Sequence, residues 1–155
     1  MEGAVEVYTS SDASTLDGAL DWLLGEIPDR GYLAVMAYLD RLGDAAIAQV
    51  RPALAEATSR PVTFGWGPRF LHSTGQYHKG GPATGAYLQV TGTAAVDLDV
   101  PGRPYTFGEL QAAQAAGDRQ ALSGRGRPLL WLHLVNRADG IAQLLDAAHR
   151  LEDRT

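Results

Sequence analysis

The chain contains no cysteine, which excludes disulfides, thiolate nucleophiles and thiolate-held zinc together. Any metal site would have to draw on His, Asp and Glu. Lysine is nearly absent too: of the thirteen basic residues twelve are Arg and one, Lys79, is Lys. A single Lys in so Arg-biased a chain marks its own neighbourhood for inspection. Long apolar runs are also missing, since residues 32–39 stop at Asp40, far short of the ~18 residues a spanning helix needs. No membrane partner is expected. The opening Met1-Glu2-Gly3-Ala4 has neither the basic start nor the apolar stretch of a signal peptide, so a cytoplasmic location is expected. Positive charge is in short supply, the net value being −5. This argues against a nucleic-acid partner, whose phosphates call for cationic neutralisation, while a locally positive site could still hold an anionic small molecule.

What is present suits a soluble globular protein: 155 residues, 45% apolar and 20% charged, predict one domain over 1–155. Ser14 or Thr15 can cap a helix that places Leu16, Ala19, Leu20, Leu23 and Leu24 at helical spacing before Pro28. The apolar run 31–39 reads as a strand buried on both faces, or as a buried helix. Residues 44–58 predict a helix whose start Pro52 should reset or kink. Strands are predicted over 61–66, 85–91 and 127–135, with a further edge strand over 95–100. Thr106 can cap a helix ending near Gly117, and Ile141, Leu144, Leu145, Ala148 and Leu151 share one face of a last helix. This alternation predicts an α/β fold, a mostly parallel sheet of four to five strands covered by helices.

Residues 67–82 have no hydrophobic period and read as a long irregular loop, which in a compact domain points to function. In sixteen positions the segment holds two His, the one Lys, an Arg, two hydroxyls and an amide. Arg69 and Lys79 could grip an anionic group, with Ser73, Thr74 and Gln76 adding hydrogen bonds. Gly75, Gly80 and Gly81 would let backbone approach a ligand. His72 or His78 could serve as acid or base near neutral pH. No acidic neighbour completes a metal-ligand set with the two His, and no metal or other cofactor is expected. His133, alternating with Leu132 and Leu134, reads as a satisfied core histidine, and His149 as a cation near a helix C-terminus. The same 67–82 pattern is also compatible with a solvated loop whose His and Lys meet only backbone and water.

The run Gly67-Pro68-Arg69-Phe70-Leu71-His72-Ser73-Thr74-Gly75-Gln76-Tyr77-His78-Lys79-Gly80-Gly81-Pro82, followed by Thr84-Gly85, closely resembles a segment of the actinobacterial glucose-6-phosphate isomerase type that occurs fused to transaldolase. Gly31-Tyr32-Leu33-Ala34 with Ala37-Tyr38-Leu39, and Pro101-Gly102-Arg103-Pro104-Tyr105-Thr106-Phe107-Gly108 with Ala113-Gln114-Ala115 and Gly117-Asp118, extend the likeness over most of residues 31–135. The resemblance implies a sugar-isomerase (SIS-type) α/β domain corresponding to the C-terminal part of that family. It implies aldose–ketose conversion through ring opening and a cis-enediol, with His72, His78 and Lys79 as suppliers of the acid–base groups. The loop carries no carboxylate base, and Glu109 matches no assigned one. Two functions follow as expectations: an isomerase-like enzyme acting on a sugar phosphate or a repurposed polyhydroxylated substrate, and a non-catalytic phosphosugar-binding or partner-subunit module. The missing half of the parent enzyme implies a homodimer or a partner subunit. Lys79→Ala is expected to leave stability unchanged and to weaken ligand handling.

Overall fold

The computed structural model describes residues 3–154; Met1, Glu2 and Thr155 lie outside them, and with them half of the N-terminal stretch read above. Five strands, β1 (Val5–Tyr8), β2 (Tyr32–Tyr38), β3 (Val62–Trp66), β4 (Gly85–Gly92) and β5 (Leu129–Leu134), form one sheet in the order β1-β5-β4-β2-β3. All neighbours are parallel except β1, which runs antiparallel to β5. The expected mostly parallel α/β sheet flanked by helices is what the chain forms.

The helices are α1 (Leu16–Gly25), α2 (Val50–Thr58), α3 (Thr74–Gly80), α4 (Phe107–Ser123) and α5 (Arg137–Glu152). Their starts follow local chemistry. Thr15 Oγ1 accepts from the Gly18 amide at the head of α1, and Asn136 does the same for Asp139 at the head of α5. Thr106 and Glu109 close a reciprocal capping box on α4, satisfying two amides that the first helical turn would leave unpaired. Pro52 falls in the first turn of α2, behind a 3-10 turn over Ala45–Gln49. There its missing N–H costs nothing, so the proline resets the helix start.

Alternate residues of β2 serve two cores. Leu33, Val35 and Ala37 join Leu88, Val90, Leu130, Leu132 and the apolar faces of α1, α2 and α5 in the larger one. Ala34, Met36 and Tyr38 face α3 and α4 in a smaller cluster with Phe70, Tyr87, Ala115 and Leu122. Burying both faces explains why β2 reads as an unbroken apolar run. In β5 only Leu130, Leu132 and Leu134 are buried, while Leu129, Trp131 and His133 are half-covered on the α4 side.

Three expectations need correction, and one strand was not foreseen. Residues 67–82 are not an irregular loop, because turns over 67–73 lead into α3, held by Gly75 N–H donating to Phe70 O at 2.9 Å. Residues 95–100 add no strand to the sheet; they make a single bridge, Asp99 to Thr106. Gly117 does not end α4, which continues to Ser123, since Leu122 finds burial one turn further on. The edge strand β1 carries only one fully buried side chain, Val5, too little apolar alternation to be read from sequence.

Candidate functional site

The chain runs from β2 out to β3, then crosses back over β2 to β4. Strand order therefore reverses between β2 and β4, and in open α/β sheets the crevice beyond the carboxyl ends of the strands at such a point is where ligands bind. A cavity of about 700 Å³ opens there, lined by the ends of β2 and β4 (Tyr38, Thr91, Gly92), by β5 (Trp131, His133), by α4 and by Arg137.

Its polar wall is well ordered by hydrogen bonds. Trp131 Nε1–H donates to Thr91 Oγ1 at 2.8 Å. Thr91 Oγ1 lies 2.8 Å from His133 Nδ1, and Thr93 Oγ1 lies 3.2 Å from His133 Nε2. Thr91 Oγ1 also reaches Leu132 O at 3.4 Å, and the tautomer of His133 sets which partner donates in each of its two contacts. His133 is satisfied, as the sequence suggested, yet it stands at a cavity wall and not in the core. Arg137 donates through Nη1 to Asp44 Oδ2 at 2.9 Å and through Nη2 to Gly92 O at 3.3 Å, tying the head of α5 to the end of β4.

The α3/α4 face brings together what the sequence had left apart. Lys79 Nζ meets Asp118 Oδ1 at 2.7 Å, and Tyr38 O–H makes a long contact of 3.4 Å to Asp118 Oδ2. The Asp118 side chain is 2% exposed and that of Lys79 16%. Burial and the Asp118 charge push the Tyr38 hydroxyl far above its ordinary range. Tyr38 also lines the cavity, so it joins the ion pair to the crevice. Sequence reasoning passed over Asp118 as a same-chain partner because 39 residues separate it from Lys79; its place on the buried stripe with Ala115 and Leu122 was the available signal.

The other residues of 67–82 do not converge with Lys79 on one cavity. His72 and Arg69 are exposed. Ser73 Oγ–H donates to Phe70 O at 3.2 Å and Gln76 Nε2 to Leu71 O at 2.8 Å, so both side chains brace their own segment. Thr74 is exposed at the mouth of a smaller apolar cavity of about 380 Å³ beside Phe70, Tyr77 and His78. Gly75 is buried, Gly80 is exposed, and the Gly81 carbonyl accepts from Arg127 Nη2 at 2.6 Å.

His78 is buried among Tyr32, Phe70 and Tyr87, and its Nδ1 has no hydrogen-bond partner. Burial pushes its imidazole below the ordinary 6.5, the nearby Lys79 charge adds to this, and Asp118 opposes it. The folded state thus binds the His78 proton less readily than the unfolded chain, so the neutral side chain favours folding above about pH 6.5. That contribution fades as pH falls. Urea melts at pH 7.5 and 5.5 should show lower stability at the acid end, and His78→Leu should flatten the difference; an unchanged pH slope in the variant rules out this role. Among the described residues, no three His, Cys, Asp or Glu side chains gather as metal ligands would, and no helix is long and apolar enough to cross a membrane.

The fold and crevice define the class: an α/β protein with a mostly parallel sheet and, at its topological switch point, a largely apolar cavity with one hydrogen-bonded polar wall. No family model and no curated protein matches the chain. Among solved structures, it is similar to a hypothetical protein from Thermus thermophilus, with a TM-score of 0.77 at 18% identity over 88% of this chain and 38% of that one. That likeness shows the fold, and the chain spans well under half of the Thermus protein.

Proposed function

We propose that this chain is a phosphoglucose-isomerase-like unit. It holds a sugar phosphate, or a related polyhydroxylated anion, in the carboxyl-end crevice and moves a proton to and from it. The Lys79–Asp118 pair at 2.7 Å, joined to the crevice through Tyr38, carries this reading. A carboxylate is what aldose–ketose chemistry requires for the carbon proton, and Asp118 supplies one beside the lone lysine. In the proposed reaction the Tyr38 hydroxyl oxygen at the crevice takes the proton from carbon 2 of the open-chain sugar as its own proton passes to Asp118. The electron pair of the broken C–H bond forms the enediol as the oxygen on carbon 1 takes up a proton, and delivery of a proton to carbon 1 with loss of the hydroxyl proton on carbon 2 gives the ketose. Lys79 holds that carboxylate in place behind Tyr38. His72 is exposed in the turns that precede α3 and does not line the crevice.

A second reading, a non-catalytic phosphosugar-binding or partner-subunit module, is favoured by one observation: Lys79 and Asp118 neutralise each other and neither lines the cavity. The exposed Val96, Leu98 and Phe107 on the 94–108 excursion suit a homodimer or a partner subunit that would complete the site. A cytoplasmic setting fits both readings. Incubation with glucose 6-phosphate in deuterated water decides between them. Exchange at carbon 2 that disappears in Asp118→Asn is expected for the enzyme. Saturable binding without exchange selects the module, and absence of both overturns the two together. Light scattering at micromolar concentration checks the partner claim, which a strict monomer would remove.

A further inference from the structure

Arg119 projects from α4 onto the indole of Trp131, its guanidinium carbon 3.8 Å from the ring centroid. Nη1 donates to Gln89 Oε1 at 2.6 Å. Gln89 is fully buried in β4 and anchored through its own Nε2–H to Ala115 O at 3.1 Å. Trp131 is fixed in turn by stacking on Tyr8 at 4.0 Å and by its bond to Thr91. A flexible side chain has thus been given one orientation by three separate elements. Among the described residues no carboxylate pairs with it, whereas Lys79, Arg137 and Arg150 each have one. Its one polar contact through Nη1 leaves Nη2 and Nε on the other edge of the fork.

The carboxylates that line the same cavity are engaged elsewhere. Glu109 Oε2 accepts from the Thr106 amide, and Asp97 Oδ1 accepts from the Leu98 and Gly108 amides. Glu109 lies ten positions before Arg119 on α4, about 15 Å along the axis at 1.5 Å per residue. The cavity wall thus carries one half-buried cation without a carboxylate partner, Arg119, a second cation, Arg137, that is paired with Asp44, the acceptor oxygens of Asp97 and Glu109, and the polar side chains of Thr93 and His133. A half-buried guanidinium without a counter-ion is costly unless a ligand supplies one, and its planar fork matches the two oxygens of a carboxylate or phosphate.

We propose that Arg119, held against Trp131, is the anion-recognition group of this crevice, and that the ligand is a polyol bearing an oxyanion at one end. The oxyanion sits on the Arg119 fork and the hydroxyls run toward Thr93 and Glu109. This rests on the reading of the crevice as the ligand site and names the class of molecule it takes; phosphate esters and carboxylates share the required chemistry.

Titration of the ¹⁵N-labelled full chain reads the site directly, because Trp131 is one of only three tryptophans and Trp131→Phe assigns its indole signal. The probes are glucose 6-phosphate, gluconate and neutral glucose. A saturable shift of the Trp131 indole is expected with at least one of the two anions, and none with glucose. Arg119→Gln should weaken that binding at least tenfold, with Arg119→Lys between the two because it keeps the charge and loses the fork. Arg125→Gln, the same charge change at an exposed site on the far side of the α4 terminus, should leave it within twofold.

The proposal is overturned if neither anion moves the indole, if glucose moves it equally, if Arg119→Gln binds like the parent protein, or if Arg125→Gln weakens binding as much. Should Arg119→Gln not fold, the parent titration and Arg119→Lys still decide. Gluconate binding without glucose 6-phosphate binding would refute the sugar-phosphate reading and leave the Arg119 grip standing. Glucose 6-phosphate binding that is indifferent to Arg119 would do the reverse.

Discussion

Lys79→Met is expected to destabilise the fold by about 3–5 kcal/mol, the usual consequence of removing one partner from a buried ion pair. The burial of the pair gives the reason. Asp118 is nearly sealed from solvent, and its Oδ1 is held by Lys79 at 2.7 Å while Tyr38 reaches Oδ2 only at 3.4 Å. Without the ammonium, a buried carboxylate must either stay charged in poor company or take up a proton, and both oppose folding. For a chain of this length the melting temperature should fall by on the order of 10 °C. The expectation of unchanged stability drawn from sequence is thereby replaced, since a lone lysine in a polar segment gives no hint of the carboxylate opposite it. Lys79→Met combined with Asp118→Leu should recover much of the loss, because no uncompensated charge then remains. Thermal melts of the three variants check this, and a single variant that melts within two or so degrees of the parent would refute it.

Gly31→Ala is expected to cost about 3 kcal/mol or more, beyond the usual range of an exposed helix or loop substitution. A methyl group there would come within 2.5 Å of Thr84 O and 2.7 Å of Pro28 O. Both are main-chain oxygens, so no rotamer change can relieve the overlap. The Gly31 amide already donates to Pro28 O at 2.7 Å, and the next amide, of Tyr32, donates to Thr84 O at 3.0 Å. Relief would therefore pull β2 away from the approach to β4 in the middle of the sheet. Gly117→Ala makes the contrast: it lies inside α4 with nothing within 4 Å and should stabilise by about 0.5–1 kcal/mol through helix propensity. Urea denaturation compares the two. Equal midpoints for Gly31→Ala and the parent would show that the Pro28 turn yields more easily than its hydrogen bonds suggest.

Local chemistry made much of this protein legible in its sequence. The unbroken apolar run of β2, the capping residues Thr15 and Thr106, the reset at Pro52 and the amphipathic face of α5 each depend on near neighbours in the chain, and the α/β alternation follows from them. The 67–82 segment was conspicuous for the same local reason, its composition, but composition does not say which side chains meet. Ser73 and Gln76 turned inward to their own backbone, His78 was buried, and Lys79 closed on Asp118. The pairing of Lys79 with Asp118, the stacking of Arg119 on Trp131 and the suspension of His133 between Thr91 and Thr93 join residues roughly forty positions apart or come from different strands and helices. Only the order β1-β5-β4-β2-β3 brings them together, because the reversal between β2 and β4 creates the crevice. The residue pattern of each element follows short-range propensity and burial, whereas the site is a product of which strands become neighbours.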